Sequence, residues 1–155
     1  MMHNGVCKFG IWRVNISWDD NNIIHHVCFV NNAQITQVPT QFTRYFAGKQ
    51  FDFSPFRSIV LSWNSTYSKI YEAVAKVPYG ETRTYNDISK ITNTNPRIVG
   101  NALSKNPTPL IIPCHRIIRS DGNLGGFTPD PQIKLELLSL ESKYKPKLSD
   151  IAPKC

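Results

Sequence analysis

Trp12, Val14, Ile16 and Trp18 alternate with Arg13, Asn15 and Ser17. This period of two is the signature of a half-buried β-strand. The polar tetrad Asp19-Asp20-Asn21-Asn22 follows, and then the largely apolar run Ile23-Ile24-His25-His26-Val27-Cys28-Phe29-Val30. Strand, turn and strand predict a hairpin, which commits the opening of the chain to a β-rich unit. A short helix is expected over 40–46, ended by Gly48. From Phe51 to Asn64 the chain holds Pro55 and has no clear period. The connection falls there, dividing a β-rich unit (1–64) from a second unit (65–155).

The second unit reads as helical. Tyr67, Ile70, Tyr71, Val74 and Val77 fall on one face of an amphipathic helix, which the sequence Pro78-Tyr79-Gly80-Glu81 breaks. Thr84-Tyr85-Asn86-Asp87 has the form of a capping box and predicts a short helix to about Ile91. Asn95 can cap the next helix, with Pro96 at its first position; that helix runs to about Lys105 and stops before Pro107. Short helix, tight turn and second helix make a helix-turn-helix. On the second of these, Ile98, Val99, Ala102 and Leu103 can face inward, while Arg97, Gly100, Asn101 and Ser104 share the other side. A nearly flat surface led by one arginine suits close approach to a nucleic-acid backbone, and equally describes a solvated helix face.

Charge bears on the partner. The formal net charge is +7. Residues 1–65 hold five basic and three acidic side chains, whereas from Arg83 to Arg119 six basic residues stand against Asp87 alone. A polyanion is one natural partner for such a stretch, because neutralised phosphates release counterions; a solvated basic face is the other reading. No run approaches the roughly 20 apolar residues of a membrane span, and the first residues lack the pattern of a secretory signal. The expectation is an intracellular protein without a membrane partner, cytoplasmic in a prokaryote or nuclear in a eukaryote. The four cysteines, Cys7, Cys28, Cys114 and Cys155, form no C-x-x-C pair. Cys7 and Cys28 read as small apolar filler, and Cys155 as an exposed thiol at the chain end. His25 and His26 make a zinc site with Cys7 and Cys28 conceivable, but their spacing matches no standard ligand pattern, so no metal is expected.

The run Leu110-Ile111-Ile112-Pro113-Cys114-His115-Arg116-Ile117-Ile118 concentrates chemistry. A buried strand would not normally gather a thiol, an imidazole and a guanidinium in succession. The thiolate is the nucleophilic form of cysteine, and a nearby base or positive charge raises its share. Pro113 biases Ile112 toward extended backbone. Neighbours in extended chain point to opposite sides, so a bridging water would be needed for His115 to take the Cys114 proton. A carboxylate behind the histidine would orient it. Glu141 is the candidate, since it lies four residues after Leu137 and eight after Ile133, on the apolar face of the last helix, where an acid is costly unless paired.

The segment Arg97 to Ile118, RIVGNALSKNPTPLIIPCHRII, resembles the active-site signature of the O6-alkylguanine-DNA alkyltransferases, also called methylated-DNA–protein-cysteine methyltransferases. The resemblance runs from about Thr66 to Ser142. It implies an α+β fold, with a small N-terminal antiparallel β-sheet domain of RNase H-like type and a helical, winged-helix-like C-terminal domain carrying the helix-turn-helix. It implies direct-reversal DNA repair without a cofactor, by a monomer that binds the minor groove of double-stranded DNA and flips out the alkylated guanine. Cys114 would accept the alkyl group once and irreversibly, with His115 as base through water and Glu141 orienting it. Tyr85 would crowd a phosphate and hydrogen-bond the flipped base, Arg97 would fill the vacated space, and Asn106 would brace the turn before the cysteine. Gly100, Asn101, Ser104 and Lys105 would complete the DNA-facing surface, and the carbonyls of Cys114 and Ile117 would accept from the guanine amino group.

One departure stands out. After Gly125-Gly126 the family usually has tyrosine, then serine and glycines, whereas this chain has Phe127, Thr128, Pro129 and Asp130. Phe127 can wall the pocket and stack on the base but cannot donate a hydrogen bond to the leaving purine. A lost donor of oxyanion-hole strength is worth up to ~3 kcal/mol, with the Thr128 amide and Tyr85 as substitutes. Pro129 should stiffen the pocket loop, so altered tolerance of bulky O6 groups is expected. Three other readings account for less. A non-enzymatic alkylguanine binder lacks the acceptor cysteine, a helix-turn-helix regulator offers no reason for the Pro-Cys-His-Arg run, and a cysteine hydrolase leaves the basic helix pair unexplained.

Overall fold

The computed structural model describes residues 1–145, so Cys155 lies outside the described residues. The hairpin is formed by β2 (Trp12–Asp19) and β3 (Ile23–Val30). Its turn closes with Asn22 N donating to Asp19 O at 3.1 Å. The register slips between Ser17, which pairs His26, and Trp18, which pairs Ile24, leaving His25 as an extra residue. This bulge resets the alternation, which is why Ile24 and Val27 are both buried although three positions apart. Two further strands flank the hairpin, and neither was expected. β1 (Met2–Phe9) pairs antiparallel with β2, and the short β4 (Arg57–Ser58) pairs parallel with β3, giving the order β1-β2-β3-β4. α1 (Thr40–Phe46) buries Phe42 and Tyr45 completely.

The helical half starts with α2 (Ser68–Ala75), slightly shorter than its apolar stripe, since Val77 is buried beyond the helix end. α3 (Tyr85–Thr92) begins at a complete capping box, with Asp87 N donating to Thr84 Oγ1 at 3.0 Å and Thr84 N to Asp87 Oδ2 at 2.9 Å. It stops at Asn93, whose φ of 56° turns the chain. α4 (Pro96–Ser104) is capped by Asn95, whose Oδ1 accepts from Ile98 N at 2.9 Å. The last helix, α5 (Pro131–Tyr144), returns to the sheet, and its Ile133 and Leu137 share a core with Val14, Phe29 and Phe42. Val60 goes the other way and packs with Val74, Val99 and Ile117 among the helices. The sheet and helical halves therefore each complete the other's core, and the fold is α+β.

The link between α4 and α5 corrects one expectation. Extended backbone does not run through Pro113–Arg116. Pro113 (φ −76°, ψ 66°) makes an inverse γ-turn in which Cys114 N donates to Ile112 O at 2.7 Å. Cys114–Arg116 then form one 3₁₀ turn. Extended structure resumes only at β6 (Ile117–Ile118), which pairs parallel with β5 (Arg83–Thr84). The proline restrains the residue before it, whereas the turn follows it.

On β2, Val14 and Asn15 face opposite sides, and they pair with Cys7 and Cys28 respectively. The two cysteines thus lie on opposite faces of the sheet, and His25 is instead bonded to Asp19 at 2.8 Å. No helix among the described residues is long and apolar enough to cross a membrane.

Candidate active site

Glu141 is 1% exposed on α5 and is the hub of a buried polar centre. Its two oxygens receive five hydrogen bonds. Arg116 grips it bidentately, Nε to Oε1 at 2.8 Å and the second guanidinium nitrogen to Oε2 at 2.9 Å. His115 Nε2 donates to Oε2 at 2.6 Å, and the Tyr45 hydroxyl to the same oxygen at 2.5 Å. Gly80 N donates to Oε1 at 3.0 Å. Gly80 sits at φ 77°, a conformation that glycine adopts without the Cβ penalty. Burial works to raise the pKa of Glu141, but His115 and Arg116 outweigh it and hold the carboxylate far below its usual range.

His115 is fully buried, and burial lowers its pKa more than Glu141 raises it. The neutral imidazole therefore carries its proton on Nε2, facing the ionised Glu141. Its Nδ1 keeps a lone pair, is buried, and has no hydrogen-bond partner among the described residues. The imidazole makes no direct hydrogen bond to Cys114.

Cys114 is half-buried and opens into a cavity of about 270 Å³. Tyr85, Gly100, Ser104, Asn106, Phe127 and Thr128 line the same cavity. Asn106 braces the loop ahead of the cysteine, its Nδ2 donating to Ile112 O at 3.0 Å and its Oδ1 accepting from Thr108 N at 3.0 Å. Burial pushes the Cys114 thiol up, while the Asn106 side chain and the Lys134 charge pull it down. Tyr85 is also raised, chiefly by burial, and stays a neutral phenol. Phe127 packs edge-on against Phe29 of β3, with ring centroids 5.9 Å apart, so the sheet supports the pocket wall.

The remaining residues named from the sequence fall in two groups. Arg97 is exposed at the start of α4 and borders, with Tyr85 and Gly100, a depression beside the cavity. Asn101, Ser104 and Lys105 are exposed along the same helix, and the Lys105 ammonium stands 5.5 Å from the Tyr67 ring centroid. Ile117 and Pro129 do not line the cavity. The Ile117 side chain is fully buried in the helical core, and its carbonyl accepts from Lys134 Nζ at 2.6 Å. Pro129 is exposed beyond the pocket loop.

Three residues of this region are not assigned by the sequence: Arg116 as the partner of Glu141, Tyr45 and Lys134. Lys134 had a legible signal. It stands three residues before Leu137 and seven before Glu141, on the same inward stripe. For Tyr45, 96 residues from Glu141, the sequence carries no signal.

The family model for the DNA-binding domain of 6-O-methylguanine DNA methyltransferase matches residues 65–143. The chain belongs to the O6-methylguanine-DNA methyltransferase family. The methylated-DNA–protein-cysteine methyltransferase of Metallosphaera sedula is 43% identical over 112 residues, which are 72% of this chain and 70% of the relative. That of Saccharolobus islandicus is 33% identical over 154 residues, 95% of this chain and 100% of the relative. The crystal structure of the Mycobacterium tuberculosis O6-methylguanine methyltransferase superposes with a TM-score of 0.77 at 25% identity, covering 96% of this chain and 98% of that one. The same organism's OGT is known in complex with DNA, with a TM-score of 0.76 at 25% identity over 93% and 95% of the two chains. These matches over nearly the whole chain include the sheet half as well as the helical half.

Proposed function

We propose that this methyltransferase repairs alkylated DNA by moving the alkyl group of O6-alkylguanine onto Cys114, once per molecule. One observation carries the reading: the thiol opens into a cavity large enough for a small ligand, beside a buried imidazole whose Nδ1 lone pair has no protein partner. Through a bridging water, that nitrogen takes the Cys114 proton, and Glu141 stabilises the imidazolium from the other side. The sulfur then attacks the alkyl carbon. The S–C bond forms as the C–O6 bond breaks, and its electron pair passes to the purine, which takes up a proton to become guanine. The thioether is too stable to hydrolyse, so the protein is consumed.

DNA enters this reading through α3 and α4. An O6-alkyl group is out of reach inside a stacked duplex, and extruding the nucleotide costs a few kcal/mol. Arg97 fills the vacated space, Tyr85 crowds the phosphate and meets the flipped base, and Phe127 stacks on it. Asn101, Ser104 and Lys105 lie along the minor groove. Gly100 supports a close approach. A Cβ there would meet no atom within 4 Å, so the fold itself does not require a glycine that costs α4 roughly 1 kcal/mol against alanine.

The test is to incubate the protein, and separately Cys114→Ser, with duplex DNA carrying labelled O6-methylguanine. Label on the wild type and none on the variant is the expected result. Absence of transfer to the wild type would overturn the reading.

A further inference from the structure

Lys134 lies on α5 two turns before Glu141 and is 1% exposed. Lysines are almost never fully buried without a partner. Here the ammonium donates to Ile117 O at 2.6 Å and stands 5.7 Å from the Tyr85 ring centroid, behind the cavity wall. No carboxylate among the described residues lies within ion-pair distance of it. The buried carboxylate of this centre, Glu141, is already matched by Arg116. A buried cation left without an anion is costly, and its packing role would be met by a leucine or methionine.

The groups around Cys114 fix the charge balance. His115 is neutral, Glu141 is an anion and Arg116 a cation on the 3₁₀ turn and α5. Tyr71 of α2, pushed up to about 12 by burial, and Tyr85 of α3 keep their protons. Arg119 is exposed at the end of β6. The buried set thus carries one surplus positive charge, that of Lys134. Moving the Cys114 proton to His115 leaves the sum unchanged, and the surplus remains when the departing purine takes the electron pair of the broken C–O6 bond. Burial pushes Lys134 itself down to about 8, with Cys114 acting in the opposite sense.

We propose that Lys134 is the electrostatic partner of the acceptor site. Its ammonium, held by the Ile117 carbonyl behind Tyr85, favours the Cys114 thiolate and complements the purine anion released on transfer. The inference rests on Cys114 being the acceptor.

Two variants separate the charge from the hydrogen bond. Lys134→Gln keeps a donor for the Ile117 carbonyl, and Lys134→Met removes both. Each is compared with the wild type and Cys114→Ser in two assays: the rate of iodoacetamide alkylation of Cys114 from neutral to alkaline pH, and label transfer from O6-methylguanine duplex DNA. The expected result is that both variants shift the alkylation profile to higher pH, lowering the neutral-pH rate about tenfold, and slow the transfer. A Lys134→Gln profile that overlays the wild type overturns the proposal, because the ammonium is then only a fastener for Ile117. Failure of the Cys114 reading is distinct, since wild-type protein would then take no label. Should neither variant fold, NMR titration of Lys134 in the wild type before and after methylation of Cys114 decides. Its pKa must fall when the thiolate is lost, and an unchanged value contradicts the proposal.

Discussion

The Tyr45 hydroxyl, on a helix of the sheet half, donates to Glu141 Oε2 at 2.5 Å, joining residues 96 positions apart. Burial and the neighbouring carboxylate raise the Tyr45 pKa well above that of a free phenol, so it remains a donor. The sheet half thereby holds one corner of the carboxylate that orients His115. Tyr45→Phe removes a hydrogen bond to a charged group, worth about 1.5–3 kcal/mol. Urea unfolding should register that loss, along with slower alkyl transfer and unchanged DNA affinity. A change below about 0.5 kcal/mol, the range of neutral surface substitutions, would mean that the contact contributes nothing.

Stability should fall on acidification. The folded His115 pKa is lowered from its ordinary value of about 6.5. Below that value the unfolded chain binds the proton that the folded chain resists, so stability is full above about pH 6.5 and declines as pH falls. Glu141 has the same sign, since its depressed folded pKa gives stability that is complete above the ordinary carboxylate value of about 4.3 and is lost below it. Thermal unfolding followed by circular dichroism should show two successive declines in melting temperature, the first absent in His115→Gln. A flat profile down to acid pH is the contrary outcome.

Arg97 is exposed at the start of α4, beside the cavity and outside it. If it acts by stabilising the extruded nucleotide, Arg97→Ala should slow transfer from duplex DNA about tenfold, corresponding to roughly 1.4 kcal/mol of the flipping cost. Transfer from free O6-methylguanine base should be untouched. Equal slowing of both substrates would remove Arg97 from the flipping step.

Phe127 lines the cavity, and its ring leans on Phe29. It offers no donor to the purine, so Phe127→Tyr should speed the transfer, by at most the ~3 kcal/mol of an oxyanion-hole donor. The wild type should react slowly with O6-benzylguanine relative to O6-methylguanine. Comparable rates for the two groups would contradict this.

Local chemistry was legible where one short segment decides the outcome. The Thr84–Asp87 capping box and the Asn95–Pro96 start define both helices of the helix-turn-helix, and the polar tetrad after Trp18 defines the hairpin. β1 is not legible in the sequence because its alternation is broken at Gly5, where a Cβ would lie 2.1 Å from the Gln37 carbonyl oxygen. That crossing is tertiary and leaves no local pattern. In the loop that leads to Cys114, Leu110 adopts φ 79°, which no side-chain preference foretells. Glu141 could be placed inward by its spacing from Leu137 and Ile133, but its partners could not, because Arg116 stands 25 residues away on the 3₁₀ turn and Tyr45 stands 96 residues away in the sheet half.

On the proposed function, each molecule accepts one alkyl group and no more. The most direct measurement titrates a known amount of protein with excess duplex DNA labelled in the O6-methyl group, then locates the label by peptide mapping. The expected result is a plateau of one methyl group per protein, all of it on the peptide containing Cys114. Label accumulating beyond one equivalent, or residing on another residue, would contradict it.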